Sequence, residues 1–219
     1  MTKTCSEKDS NSISNDTDDN GAEQSKRRYK MSKRAETSAQ TAIDIYQVTV
    51  ALWHERPLSD ITLETIAERA NVSVRTIIRR FGSKEGLFED CIKNNVADME
   101  SNRHKAKVGD IEGALNCLLD DYEAHGDAMI RTLAVEEQLA IARRVLQAGR
   151  IYHREWCARI FAPYLPASGE NHYDEVLLAF VAATEIYLWK LLRRDLNYDL
   201  PTTRKAFLRL VQGLVNNRV

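Results

Sequence analysis

Between Thr62 and Glu85 the chain packs three helix starts and two tight turns into about two dozen residues. Thr62 is placed to cap a short helix whose apolar residues Leu63, Ile66, Ala67 and Ala70 recur at helical spacing. Asn71 stands where the chain must turn, and asparagine tolerates the left-handed backbone better than any residue but glycine. Ser73 then caps a second helix, Val74 to Phe81, which Gly82 ends. Ser83 opens a third helix with Glu85 in its positively polarised first turn. Ala67 is small where the first two helices must cross. This is the spacing of a helix-turn-helix. Its second helix carries Arg75, Thr76, Arg79 and Arg80, a set suited to a DNA major groove.

The net charge of −1 argues against a polyanionic partner until it is localised. Residues 1 to 25 set Lys3 and Lys8 against Glu7, Asp9, Asp16, Asp18, Asp19 and Glu23, whereas 26 to 34 hold Lys26, Arg27, Arg28, Lys30, Lys33, Arg34 and no acid. Residues 1–33, almost without apolar side chains, are expected to be a disordered arm, acidic and then basic. Its basic part is a candidate for lying along phosphates or entering a minor groove.

Elsewhere the apolar pattern has helical period and no period-two alternation. An all-α fold of about nine helices follows. The expected helices run from Thr37 to Arg56, through the helix-turn-helix, from Lys84 to Arg103, from Gly109 to His125, and from Asp127 to Val135. Glu136 to Phe161, Asp174 to Arg194 and Pro201 to Asn216 complete the set. The first presents Ile43, Tyr46, Val50 and Trp53 as its packing stripe. Asp174 to Arg194 is apolar nearly all round and is expected to be covered on more than one side.

Cys5, Cys91, Cys117 and Cys157 are scattered without a CxxC pair. The polar, acidic N-terminus does not read as a secretory signal, so a reducing cytoplasm is the expected setting. The longest apolar run, Val176 to Ala183, falls well short of a membrane span. His153-Arg-Glu155-Trp-Cys157 contains HxE and a thiol but lacks the later PCxxC of a zinc deaminase, and on a helix Glu155 points away from the other two. No P-loop, nucleophile elbow or dinucleotide fingerprint is present. The chain is not expected to be an enzyme, or to hold a metal or cofactor.

The stretch from Ile43 through Ile66-Ala67, Ala70, Val72-Ser73, Thr76, Phe81 and Lys84-Glu85 resembles the DNA-binding domain of the TetR family of bacterial transcriptional regulators. The resemblance implies a DNA-binding domain at 34–100 and a C-terminal domain for effector binding and dimerisation at 101–219. Three positions depart from the family pattern. Asn71 replaces the turn glycine, Pro57 the glycine after the first helix, and Ile78 the tyrosine that contacts phosphate. Without that hydroxyl, either Arg79 or Arg80 compensates or binding is weaker.

Read through this resemblance, Thr62, Ser73, Val74, Arg75, Thr76, Ile78, Arg79, Arg80 and Lys84 form the DNA-facing set. Arg75 is the candidate reader of guanine, Val74 and Thr76 contact bases or thymine methyl groups, and Lys84 holds phosphate. A homodimer on a palindromic operator places its two reading helices roughly 34–36 Å apart. Val181, Leu188, Leu192, Phe207, Leu210 and Leu214 are the candidate dimer residues. Tyr122, His125, Met129, Leu133, Leu146, Tyr152, His153, Trp156, Phe180 and Tyr187 mix aromatic and apolar surface with polar tips, as a small-molecule pocket requires. The resemblance implies a repressor released by a small apolar or amphipathic effector. A same-fold DNA-binding protein controlled by a partner, or an activator, are the alternatives.

Overall fold

The computed structural model describes residues 19–103 and 105–216; side chains are described from Met31 onward, excepting positions 32, 34, 35 and 95–102. Among these residues there is no strand, and nine α-helices carry the fold. They are α1 (Asp19–Glu55), α2 (Leu63–Arg69), α3 (Val74–Phe81), α4 (Lys84–Arg103), α5 (Ile111–Leu133), α6 (Ala140–Ile160), α7 (Tyr173–Ala183), α8 (Ile186–Lys190) and α9 (Leu200–Asn216). The described residues from Asp44 onward form one compact unit, and those up to Ile43 fall outside it.

Helix α1 begins at Asp19, so residues 19–33, expected to be a disordered arm, are helical. Ala22-Glu23-Gln24 and the lysines and arginines after them are good helix formers, and continuity with an anchored helix removes the cost of a separate nucleus. Residues 1–18 of that arm, with Cys5, lie outside the described residues. The packing stripe of α1 is also shifted from expectation. Ile45, Thr49 and Leu52 are the fully buried positions, Tyr46, Val50 and Trp53 are half-buried, and Ile43 is exposed. Thr49 passes as core because its hydroxyl donates to the Ile45 carbonyl at 2.7 Å, which satisfies it locally.

Two apolar clusters organise the compact unit. The first gathers Ile45, Leu52, Leu58, Ile61, Ile66, Ile77, Leu87 and Phe88 around the helix-turn-helix, and Ile141 and Ala142 of α6 belong to it. The second centres on Leu118, Trp156, Phe161, Phe180, Trp189 and Phe207, with Phe161 stacked on Phe180 at 4.4 Å between centroids. Each fully buried Leu, Ile or Phe contributes about 1.5–3 kcal/mol.

Three boundaries differ from the sequence reading. The two helices expected around Gly126 are the single helix α5, because Gly126 serves packing and not termination. A Cβ there would lie 2.5 Å from the ring of Trp189. Helix α6 starts at Ala140, four residues after Glu136. The expected helix 174–194 breaks at Thr184-Glu185. The Thr184 hydroxyl donates back to the Phe180 carbonyl at 2.7 Å, and the Thr184 carbonyl is claimed by the Tyr122 hydroxyl at 3.0 Å. Glu185 is accordingly extended, with φ −74° and ψ 149°. Residues Leu191–Asp195 then form a π turn.

One chain by itself leaves part of this segment uncovered. Leu178, Tyr187 and Leu191 are exposed, as is Leu210 on α9, which packs against α7. No helix among the described residues is long and apolar enough to cross a membrane.

Candidate nucleic-acid interface and adjoining cavity

The helix-turn-helix is locked by its caps. The Thr62 hydroxyl accepts from Thr65 N–H, and the Ser73 hydroxyl from Thr76 N–H, each at 3.1 Å. Asn71 takes the left-handed conformation the turn requires, at φ 52°. The following Val72 N–H reaches the Ala67 carbonyl at 2.9 Å. Gly82 closes α3 at φ 79°, and the Ser83 hydroxyl accepts from Gly86 N–H at 3.1 Å to open α4.

These constraints fix which face α3 turns outward. Ile77 is its one fully buried residue. Arg75, Ile78 and Arg79 form an exposed stripe at i, i+3 and i+4, with Arg80 beside it and Val74 and Thr76 half-buried at its edges. Ile78 is 45% exposed, an apolar contact in the middle of a basic stripe. Lys84 stands over the Phe88 ring at 5.7 Å and is half-buried, which restrains the ammonium at the start of α4. The oxygens of Thr62 and Ser73 already serve as caps, so among the predicted DNA-facing residues these two have a demonstrable structural duty.

The other end of α4 enters a different environment. Arg103, its last residue, is 2% exposed. Its Nη2 and Nε donate to Asp121 Oδ2 at 2.7 and 3.2 Å, and its Nη1 lies 3.4 Å from His153 Nδ1. Three rings enclose the guanidinium, those of Tyr122, Tyr152 and Trp156, with centroids 5.6–5.7 Å away. Thr184 uses its proton on the Phe180 carbonyl, so at 3.1 Å its oxygen accepts from His153 Nε2. That tautomer leaves Nδ1 as the acceptor for Arg103. Burial, and then the Arg103 charge, push the His153 pKa down to about 3, so the imidazole is neutral.

Arg103, Asp121 and His153 border a cavity enclosing about 630 Å³ of empty space, its open mouth included. Tyr122, His125, Met129, Leu133, Leu146 and His153, all predicted from sequence, lie on its wall. Four other predicted residues do not. Trp156 and Phe180 are 2% and 0% exposed within the second apolar cluster, Tyr187 is 55% exposed on the surface, and Tyr152 lines a second cavity. That neighbour, about 720 Å³ by the same measure, lies among Thr49, Val50, Trp53, Phe88 and Tyr152 and shares Met129 and Gly149 with the first. Sequence reasoning missed Arg103, Asp121 and Glu185 on the first wall. For Asp121 a signal existed, since it shares a helix face with Leu118 and His125. Arg103, at a helix end, gave none.

Among the candidate dimer residues, Phe207 is fully buried inside the chain and has no surface to offer. Its ring fills the core because α9 turns Thr203, Phe207 and Val211 inward. Val181, Leu188, Leu192 and Leu214 are half-buried and Leu210 is 47% exposed.

The end of α1 is tied to α5 beside this cavity. Arg131 donates to the carbonyls of Trp53 and His54 at 3.2 and 2.7 Å, Trp53 Nε1 donates to Thr132 Oγ1 at 2.9 Å, and His54 Nε2 lies 3.2 Å from His125 Nδ1. A guanidinium on the last carbonyls of a helix satisfies groups the helix leaves unpaired. Cys157 lies 3.7 Å from His153 Nε2, and burial pushes its thiol up to about 12, as it does for Cys91. Glu155 is exposed on another face of α6. Among the described residues no group of three or more His, Cys, Asp or Glu is arranged to hold a metal ion.

Residues 45–91 match the model of the bacterial regulatory proteins of the tetR family. Among solved structures, the chain is similar to a transcriptional regulator from Rhodococcus sp. Rha1, at 13% identity and a TM-score of 0.61. The likeness covers 82% of this chain and 96% of that one. A likeness at that identity speaks for the fold. No curated protein matches.

Proposed function

Starting from a chain whose residues 45–91 are a tetR-family DNA-binding domain, we propose a homodimeric repressor that binds a palindromic operator and is released by a small molecule in the cavity bordered by α4, α5 and α6. The observation that carries this reading is the single outward stripe of α3, Arg75, Ile78 and Arg79, held rigidly by the caps at Thr62 and Ser73. Arg75, nearest the start of α3, is the reader of a guanine edge through its two-pronged guanidinium. Ile78 meets a thymine methyl or sugar carbons, and Arg79, Arg80 and Lys84 hold phosphates.

The exposed Leu178, Leu191 and Leu210 supply the apolar surface that a second copy covers. Control follows from the position of α4. One end carries Lys84 beside α3, and the other carries Arg103 into the cavity wall. An effector that binds better when Arg103 is displaced shifts the population of α4 orientations, and with it the separation of the two reading helices. The cytoplasm is the compartment where such a protein meets its operator.

Selection of bound duplexes from a random DNA pool tests the reading. An enriched palindrome with a half-site spacing near one helical turn is expected. Failure to enrich any sequence at low salt would remove the DNA function.

A further inference from the structure

The charged or titratable groups around the first cavity are Arg103, Asp121, Tyr122, His125, Arg150, His153 and Glu185, and the Tyr122 hydroxyl is spent on the Thr184 carbonyl. Most are already committed. Asp121 is 4% exposed and receives two nitrogens of Arg103, whose third points at His153. Arg150 is gripped at both prongs by Glu136, at 2.6 and 2.7 Å. His153 is neutral and spends its proton on Thr184.

Glu185 is different. Its side chain is 32% exposed at the cavity wall, and its nearest ion-pair candidate is the neutral His153, 3.9 Å from Oε2. Burial pushes its carboxyl upward, partly offset by the Ile186 N–H and by the more distant Arg150 and Arg103. With Arg103 set against Asp121 and Arg150 against Glu136, Glu185 is the carboxylate of the wall that has no arginine in direct ion-pair contact. The rest of the lining near it, Met129, Leu133, Leu146 and Ile186, is apolar. A half-buried carboxylate facing an apolar cavity is unfavourable until a cation joins it.

We propose that the cavity takes an amphipathic organic cation, its ammonium against Glu185 and its apolar body among Met129, Leu133, Leu146 and Ile186. This rests on the reading of the cavity as an effector site. An anion is disfavoured there because both guanidinium groups of the wall are already engaged, Arg103 by Asp121 and His153 and Arg150 by Glu136. The break between α7 and α8 puts the carboxylate in place, since Glu185 is the extended residue at that break.

The test is calorimetric titration of the full chain with three probes of one shape: 4-phenylbutylamine, 4-phenylbutan-1-ol and 4-phenylbutyrate. The amine is expected to bind at least about tenfold more tightly than the alcohol, and the acid more weakly than either. Glu185→Gln should bring the amine to the level of the alcohol and leave the alcohol unchanged. Gly149→Phe, whose Cβ meets nothing within 4 Å, fills the cavity and should abolish binding of amine and alcohol alike. Acid or alcohol binding as tightly as the amine in the wild-type chain would overturn the cationic reading while leaving the effector cavity standing. So would an amine preference that survives Glu185→Gln. Binding unaffected by Gly149→Phe, or no binding of any probe, would overturn both.

Discussion

The guanidinium of Arg103 and the carboxylate of Asp121 meet at 2.7 Å with side chains 3% and 4% exposed, joining the end of α4 to the middle of α5. Removing one partner leaves an uncompensated buried charge, so Asp121→Ala should destabilise the fold by about 3–5 kcal/mol in denaturant unfolding. Replacing both, as Arg103→Met with Asp121→Leu, should recover most of that loss. A double variant as unstable as the single one would show that the pair is worth more than its desolvation.

The neutral state of His153 has a pH signature. In the folded chain its pKa is depressed to about 3, whereas an unfolded histidine titrates near about 6.5. Between those values the unfolded chain binds a proton that the folded chain does not. Stability is therefore full above about pH 6.5 and falls as pH drops toward 3, at up to about 1.4 kcal/mol per pH unit from this group. Urea midpoints of His153→Gln should fall less steeply than wild type between about pH 6.5 and 4.5. Part of the slope remains in the variant, because burial and His125 also depress His54.

Two glycines should respond oppositely to alanine. At Gly126 the new methyl meets the fully buried Trp189 ring at 2.5 Å. Overpacking costs about 1–3 kcal/mol and outweighs a helix-propensity gain of about 1 kcal/mol. At Gly149 the Cβ meets nothing within 4 Å, so alanine there should stabilise by up to about 1 kcal/mol. Thermal melts of the two variants check both signs.

Arg75→Ala should cost about 1–3 kcal/mol of operator affinity and relax preference at one base pair. Affinity measured across a set of single-base operator variants is the readout. A uniform loss at every sequence would move Arg75 from base reading to phosphate contact.

Leu210→Glu places a charge on the apolar surface that α9 leaves exposed. The variant should sediment as a monomer and lose cooperative operator binding while its helix content is unchanged. A variant that remains dimeric would move the subunit contact away from α9.

The helix-turn-helix was readable because its determinants are local. Caps at Thr62 and Ser73, a left-handed Asn71 and a terminal Gly82 are decided within a few residues of each other, by hydrogen bonds and allowed dihedrals. The helical period, the all-α class and the outward face of α3 follow from the same short-range rules. What lies between helices was readable only in part. Gly126 looked like a stop and is a seat for Trp189. Apolar residues on both sides of Thr184-Glu185 hid the break there, which depends on Tyr122, 62 residues away. In the sequence Arg103 is only the end of a helix, yet Asp121, His153 and three rings bury it. Propensity and capping act along the chain, so sequence alone decided where most helices form and which face of α3 is exposed. Desolvation and close packing act across space, so only the tertiary structure decided which charges are buried, which are paired, and that Glu185 is left facing the cavity.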